Sequence, residues 1–254
     1  MKHTHWSRWL VRIQLLLIAI IFMAGLALRL ELLHFRPVFQ VFKYAGLGAL
    51  GMALVSMLVF IWGLVKRHAD ARRAALWGVV LGLLPVAVPL LTVGKGNFDV
   101  PPIHDITTDL SNPPEYQAIL SLREEGDNSA AYDGEAVAQQ QREADIYEDI
   151  RPLELDLPVA KVTGMAAQVA EDLGWRIVAR DDETGHLEAV DRTALLGFSD
   201  DVVVRVTPAE DGSRVDIRSS SRVGVSDLGA NARRIREFLV ELEELAAEQG
   251  QQEG

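Results

Sequence analysis

The residues best suited to chemistry lie in one short stretch, where His104 and Asp105 are followed by Asp109. An imidazole beside carboxylates can act in general acid–base catalysis, which would suit a hydrolase-like enzyme at a membrane surface. A metal site is not expected, because His186 is the one other histidine after residue 97 and no His-x-x-x-His spacing occurs. No Gly-x-Ser-x-Gly nucleophile motif is present either, so we expect Asp105 and Asp109 mainly to accept backbone hydrogen bonds.

A second polar cluster lies in a loop that should precede the last helix of the chain. Two arginines near the N–H groups of a helix start could hold an anionic head group or a carboxylate. The residues predicted to bind such a ligand are Arg222, Ser226, Asp227, Asn231 and Arg234. The structural alternative is that Ser226 or Asp227 caps the helix while Arg222 pairs with a carboxylate of the chain.

Charge and composition argue against several classes of function. Residues 98–254 contain 14 Lys and Arg against 34 Asp and Glu, a net charge of −20, whereas residues 1–97 carry +9. So acidic a region repels phosphate backbones, which argues against nucleic-acid binding. The chain has no cysteine, so disulfides and thiolate chemistry are excluded. We expect no cofactor.

Three apolar runs predict membrane-spanning helices at about residues 10–30, 44–65 and 74–93. Each is close to the ~20 residues that a helix needs to cross a ~30 Å hydrocarbon core. Basic residues are more numerous before the first run and between the second and third, which predicts a cytoplasmic N-terminus. We therefore expect a multi-pass membrane protein whose region after the third run lies outside, which in a bacterium means an inner-membrane protein with a periplasmic domain. A cleaved signal peptide is the alternative for the first run, although its length favours a retained anchor.

Gly78 and Gly82 form a small-xxx-small pair in the third run, which permits close approach of helices. Packing among the three spans of one chain is the favoured explanation, and a homo-oligomer contact is the alternative. The runs contain almost no ionisable residues, so a transporter or pump is not indicated.

From residue 98 onward the sequence has the patterns of a water-soluble α+β domain. Apolar residues recur at helical spacing over 158–173 and 228–247, and they alternate as in strands over 175–179, 186–193, 201–207 and 214–219. These patterns predict two hairpins, and hence a two-layer domain in which two helices pack on a four-stranded antiparallel sheet. The segment 121–145 is polar and lacks apolar periodicity, so we expect an exposed excursion there.

Three ordered motifs carry a resemblance to a known family. They are PPIHDITTD at residues 101–109, GFSDDVVVR at 197–205 and SRVGVSDLGANARRIR at 221–236. On these motifs, residues 98–245 resemble the family called domain of unknown function 1499. The resemblance brings no reaction, substrate or catalytic residue, but it implies a bacterial protein with membrane segments ahead of the domain. Tyr147-Glu148-Asp149-Ile150 departs from the family pattern Tyr-Pro-Asp-Ile, and the lost proline loosens one turn.

Together these observations predict a membrane protein that presents a periplasmic domain, with no reaction indicated. Besides the lipid bilayer, this domain would bind an envelope protein or an anionic lipid or other ligand. The alternative is the hydrolase-like enzyme, which would use His104, Asp105 and Asp109 with Arg222 as the anion holder. A pocket that joins these four residues would favour the enzyme.

Overall fold

The computed structural model of the chain describes residues 6–93, 100–193 and 196–252. It contains two compact units, a helical N-terminal unit and a sheet-containing C-terminal unit, with the division near residue 95. The domain boundary predicted at residues 97 and 98 lies outside the described residues.

The N-terminal unit consists of three apolar helices, α1 (Arg8–Arg29), α2 (Phe35–Val65) and α3 (Ala69–Val93). All three are long and apolar enough to cross a membrane, by length and composition. Both α2 and α3 begin before the predicted spans, because polar residues such as Lys43 and Arg72 extend them beyond the apolar runs. Pro37 is tolerated in the first turn of α2, where an N–H has no helical partner. The prediction of three apolar helices is confirmed.

Small side chains line the contacts among these helices. Gly82 of α3 lies against Ala49 of α2 and Gln14 of α1, and Gly78 lies against Ser56. Gln14 is fully buried, and its Nε2 donates to the carbonyls of Ala49 and Gly78, both at 3.0 Å. The glycine pair therefore serves close contacts within one chain. A contact between two copies of the chain at these two glycines would have to displace Gln14, Ala49 and Ser56.

Three other glycines, Gly46, Gly48 and Gly51, have the Gly-x-Gly-x-x-Gly spacing of a dinucleotide-binding loop, but all of them lie inside α2. That motif requires a turn between a strand and a helix, so the spacing has no such meaning here. Apart from the adjacent residues and the nearby backbone of α2 itself, no described atom lies within 4 Å of the place where a Cβ of Gly46 or Gly51 would stand.

The C-terminal unit contains an antiparallel sheet of six strands, not the four predicted. The strands are β1 (Asp105–Thr107), β2 (Leu153–Leu155), β3 (Arg176–Asp181), β4 (His186–Arg192), β5 (Ser199–Ala209) and β6 (Gly212–Ser221). Their order is β1-β6-β5-β4-β3, and β2 also pairs with β6. The two additional strands, β1 and β2, have three residues each, which is too short for an alternating pattern to reveal them.

Both predicted hairpins are present, β3 with β4 and β5 with β6. Their turns contain Gly185 at φ 72° and Gly212 at φ 119°, backbone conformations that other residues rarely adopt. A Cβ would collide with the carbonyl of Val206 at the first position and of Leu155 at the second. The two turns therefore do not accommodate a larger residue.

Two helices, α5 (Val159–Asp172) and α6 (Ala230–Gln252), pack on one face of the sheet, as predicted. The core between helices and strands includes Met165, Trp175, Val204, Ile217 and Phe238. The rings of Trp175 and Phe238 stack with their centroids 5.3 Å apart. In β5, Val202, Val204 and Val206 enter this core at alternate positions, because successive residues face opposite sides of a sheet.

The opposite face of the sheet is covered by residues 111–132, the covering segment. Its Tyr116 and Ile119 pack with Val203 in a second apolar cluster. Within 121–145, expected to be an exposed excursion, Ala138 and Gln141 are buried in a short helix, α4 (Glu135–Glu143). The sheet is therefore covered on both faces, whereas the prediction had helices on one face only. The sequence did not reveal the second cover, because the covering segment buries a few single side chains rather than a periodic apolar face.

Candidate functional site

The three sequence motifs converge on strand β6. Asp105 of β1 and Asp201 of β5 both stand opposite Ser220 of β6, one from each side. The third motif begins with Ser221 at the end of β6 and continues into α6. The register of the sheet thus brings together polar residues that are distant in sequence.

Arg218 lies at the centre of this region and is bound by Asp105. Its Nε donates to Oδ1 at 2.9 Å and its Nη2 to Oδ2 at 2.7 Å, and the two side chains are 2% and 7% exposed. Other N–H groups donate to the carbonyls of Pro114 at 3.1 Å and Ala130 at 2.9 Å. The guanidinium also lies 4.7 Å from the ring centroid of Tyr116. Arg218 is therefore bound almost entirely within the domain.

Asp201 binds two arginines, and its side chain has no exposed surface. Arg123 Nε donates to it at 2.8 Å, while Arg222 donates from Nε and Nη2 at 2.7–3.1 Å. Arg222 also donates to the carbonyl of Leu122 at 2.8 Å. Arg123, itself in the covering segment, donates to the carbonyl of Asn128 at 2.7 Å and to Ser220 Oγ of β6 at 3.0 Å. Arg222, predicted to hold an anion, is thus already bound by a carboxylate of its own chain, which it shares with Arg123.

Arg234, the second arginine of the predicted ligand site, is buried in the first turn of α6. Its Nη2 lies 2.6 Å from a carboxylate oxygen of Asp200, and its Nε lies 2.7 Å from one of Asp191. Its Nη1 donates to Asn231 Oδ1 at 2.6 Å and to Ser219 Oγ at 3.1 Å. Because two carboxylates face one guanidinium, the cluster is already negative and would repel a further anion.

Ser226 and Asp227 organise the start of α6, in line with the structural alternative. Ser226 Oγ accepts from the N–H of Leu228 at 3.2 Å, and Asp227 accepts from those of Gly229 and Asn231 at 2.9 and 2.7 Å. Burial raises the pKa of Asp227, and these two N–H bonds oppose the rise. Both side chains are therefore engaged by backbone N–H groups before and within the first turn of α6.

Asp109, a candidate acid–base residue, closes a turn and pairs with Arg205. It accepts from the N–H and Oγ of Ser111 and from the N–H of Asn112 at 2.7–3.1 Å, and Arg205 Nη2 lies 3.0 Å away. Burial favours the neutral acid, but the hydrogen bonds and the Arg205 charge outweigh it and lower the pKa of Asp109. A carboxylate with a lowered pKa is a weak general base at neutral pH.

Glu188 of β4 attaches the covering segment on the same face of the sheet as Arg218. Its carboxylate is fully buried and accepts from the N–H groups of Gln117, Ala118 and Ile119 at 2.8–3.0 Å. His186 Nε2 lies 2.7 Å from the same carboxylate. Burial would raise the pKa of Glu188, but these hydrogen bonds prevail and lower it.

His104 and Asp105 line a pocket of ≈ 390 Å³ beside α4. Its other lining residues are Pro102, Ile103, Ala131, Asp133, Ala136, Val137 and Gln140. The backbone of His104 is fixed to the sheet, since its C=O accepts from the N–H of Ser221 and from Asn231 Nδ2, both at 2.9 Å. One wall is therefore rigid strand backbone, and the other is the first part of a short helix.

The pocket joins two of the four residues that the hydrolase alternative requires. Asp109 and Arg222 are not among its lining residues, and Asp105 is bound to Arg218. Among the described residues, no group of three or more His, Asp and Glu is arranged to hold a metal. The four residues that the hydrolase alternative requires are therefore not brought together in this pocket.

Comparison with known families assigns the domain. The family model described as protein of unknown function (DUF1499) matches residues 105–242, more than half of the chain. The chain belongs to this family. The DUF1499 match begins in β1 and ends in α6, so it covers the sheet domain and leaves out the three apolar helices. No curated protein matches the chain.

Several residues that hold the DUF1499 domain together were not singled out from the sequence, above all Arg218, Arg123 and Asp201. The alternation of Arg214, Asp216 and Arg218 with apolar residues is typical of a strand face open to solvent. The structure instead covers that face, and Arg218 is buried. One feature of the sequence could have indicated these ion pairs. Asp and Arg residues occur on both strands of the second predicted hairpin, where strand pairing could bring them together.

Proposed function

We propose that this DUF1499 protein is an integral protein of the bacterial inner membrane whose C-terminal domain binds an envelope partner in the periplasm, without catalysis. Three helices able to cross a membrane support the anchor. Seven Lys and Arg on the predicted cytoplasmic side of residues 1–97, against four on the other side, support the orientation.

The observation that carries the binding role is the internal use of three arginines, two of which belong to the third motif. Arg218, Arg222 and Arg234 are each bound by carboxylates of the domain at 2.6–2.7 Å. A catalytic group must be free to exchange a proton or to contact charge that develops on a substrate. Paired in this way, the arginines instead fix the covering segment and the start of α6 around the sheet. We therefore assign the predicted ligand loop at Arg222 and Arg234 to the scaffold and not to an anionic ligand.

The charge of the domain favours a neutral or basic partner. Residues 98–254 carry a net charge of −20, and the buried arginines contribute no positive charge at the surface. Such a surface attracts basic segments and repels anionic lipid head groups. The charge therefore favours a protein over a membrane surface as the partner.

The test is photo-crosslinking of the full-length chain in intact cells. A photoreactive amino acid replaces one exposed residue at a time, at Ala136, Gln139, Glu210 and Glu243, which lie on different parts of the domain. We expect light-dependent adducts with another protein at some of these positions and not at others. Chains that reach the membrane but give no adduct from any position, in this set and at neighbouring exposed residues, would contradict the binding role.

A further inference from the structure

Strand β1 has one edge that pairs with β6 and an opposite edge on the side of α4. The N–H of Ser221 in β6 donates to the C=O of His104, so His104 and every second residue after it direct their backbone groups towards β6. Asp105 and Thr107 therefore direct theirs towards the opposite edge.

The chain itself satisfies Thr107 on that edge. The N–H of Thr107 donates to Gln141 Oε1 at 3.1 Å, and Gln141 Nε2 donates to the C=O of Thr107 at 2.7 Å. A side-chain amide bound in this way reproduces the two hydrogen bonds that a neighbouring strand would make. Gln141 is 3% exposed, so this substitute for a strand is built into the core. The outer edge of β1 thus already pairs with one amide.

The next pair of backbone groups on the same edge belongs to Asp105. One helical turn before Gln141, about 5.4 Å along the helix axis, stands Val137, whose apolar side chain offers no hydrogen bond. Among the described residues, no hydrogen bond from this side reaches the N–H or C=O of Asp105. The ≈ 390 Å³ pocket lies here, lined by both Asp105 and Val137. The edge that Gln141 closes at Thr107 is therefore open at Asp105.

We propose that this pocket binds an extended peptide segment of the envelope partner, whose backbone amide pairs with the N–H and C=O of Asp105. This inference rests on the proposed function and specifies the partner's chemistry and its site. Addition of a strand to a sheet edge is an established mode of peptide recognition, in which backbone hydrogen bonds provide affinity. The volume is at the lower end of the ~300–1,000 Å³ usual for ligand pockets, which suits a few residues.

The lining of the pocket indicates which peptides fit best. The carboxylate of Asp105 is engaged by Arg218, so side-chain preference comes from Asp133 and His104 at the walls. Asp133 is exposed and Asp and Glu dominate the domain, so a basic or neutral residue is favoured over an acidic one. Ala136 and Val137 provide an apolar contact surface for the peptide.

The test uses the full-length chain in detergent and a library of N-acetylated, C-amidated pentapeptides in which every position is varied. We expect saturable binding, with Lys or Arg preferred over Glu or Asp. Methylation of each peptide nitrogen of the best binder in turn should weaken binding about tenfold at the position that pairs with Asp105, because it removes that donor.

Two variants on one helix provide the control. Ala136→Trp fills the pocket from the first turn of α4 and should weaken binding about as much as the N-methyl group does. Gln139→Trp places the same side chain on an exposed position of α4 outside the pocket lining, so binding should be unchanged. If Ala136→Trp fails to fold, Ala131→Trp fills the pocket from a lining residue that lies outside the helix.

Two results would overturn the site. One is the absence of binding by every member of the library at about 1 mM. The other is equal binding of the parent peptide and all of its N-methylated forms, since backbone pairing would then be unnecessary. Crosslinked adducts in cells together with either result would leave the proposed function standing and refute this pocket as its site. Absence of adducts would refute the function itself.

Discussion

Arg218 and Asp105 form a bidentate ion pair that joins β6 to β1, with side chains only 2% and 7% exposed. Because Arg218 also donates to the carbonyls of Pro114 and Ala130, the same residue ties the covering segment to the sheet. A residue of the first family motif thus acts with β6 to lock the domain, and its carboxylate is used inside the fold.

Removal of the cation from this pair should be strongly destabilising. Arg218→Met leaves the Asp105 carboxylate buried without its partner, and we expect the free energy of unfolding to fall by ~3–5 kcal/mol. The measurement is denaturant unfolding of the full chain in detergent. Arg180→Met is the control, because Arg180 and Asp182 pair at 2.6 Å with side chains 42% and 40% exposed, and such exposed pairs contribute at most about 1 kcal/mol. Similar losses in the two variants would contradict the structural role of Arg218.

Substitution of Arg222 should change stability and not partner binding. Arg222→Ala removes a bidentate contact to Asp201, which retains its bond to Arg123, so we expect a moderate loss of about 1–3 kcal/mol. The check combines unfolding with photo-crosslinking at Ala136. An adduct that disappears although the variant remains folded at the assay temperature would mean that Arg222 contacts the partner, and the assignment of this loop to the scaffold would be wrong.

Acid should release the covering segment through Glu188. Its pKa in the folded protein lies below the ordinary 4.5, so the ionised form stabilises the folded state above the unfolded pKa. That contribution is lost as the pH falls through the folded pKa. Unfolding free energies between pH 7 and pH 3 should decline less steeply for Glu188→Gln than for the unaltered chain. Identical slopes would show that Glu188 does not sense acid in this way.

Close packing in the apolar unit can be tested with two glycines. In Gly82→Val the new side chain would collide with Gln14 and the carbonyl of Ala49, whereas in Gly46→Val no described atom is close to the new Cβ. We expect Gly82→Val to lower the thermal unfolding temperature in detergent and Gly46→Val to change it little. Equal effects would mean that the three helices do not pack through this surface.

Apolar periodicity in the sequence was sufficient to predict the three apolar helices, α5, α6 and both hairpins. It could not predict β1 and β2, because three residues are too few for a pattern. It also did not predict that the charged face of β6 is covered, because the covering segment has no regular apolar period. Both features depend on contacts between segments that are distant in sequence, which a local pattern does not record.

In the candidate site, too, the sequence indicated individual residues but not the side chains with which they pair. Arg222 and Arg234 were predicted as functional residues from their place near the start of one helix, yet their roles depend on carboxylates of another strand. Asp200 and Asp201 reach the two arginines only through the pairing of β5 with β6. Likewise, the open edge at Asp105 depends on the position of Gln141, 36 residues further along the chain.

The placement of the domain can be measured directly because the chain contains no cysteine. Single cysteines are introduced at Ser129, exposed in the covering segment, and at Lys66, exposed between α2 and α3. Cells are then treated with a maleimide that passes the outer membrane but not the inner one. We expect Ser129→Cys to react in intact cells and Lys66→Cys to react only after lysis. Reaction of Lys66→Cys in intact cells with protection of Ser129→Cys would contradict the central claim that the DUF1499 domain faces the periplasm.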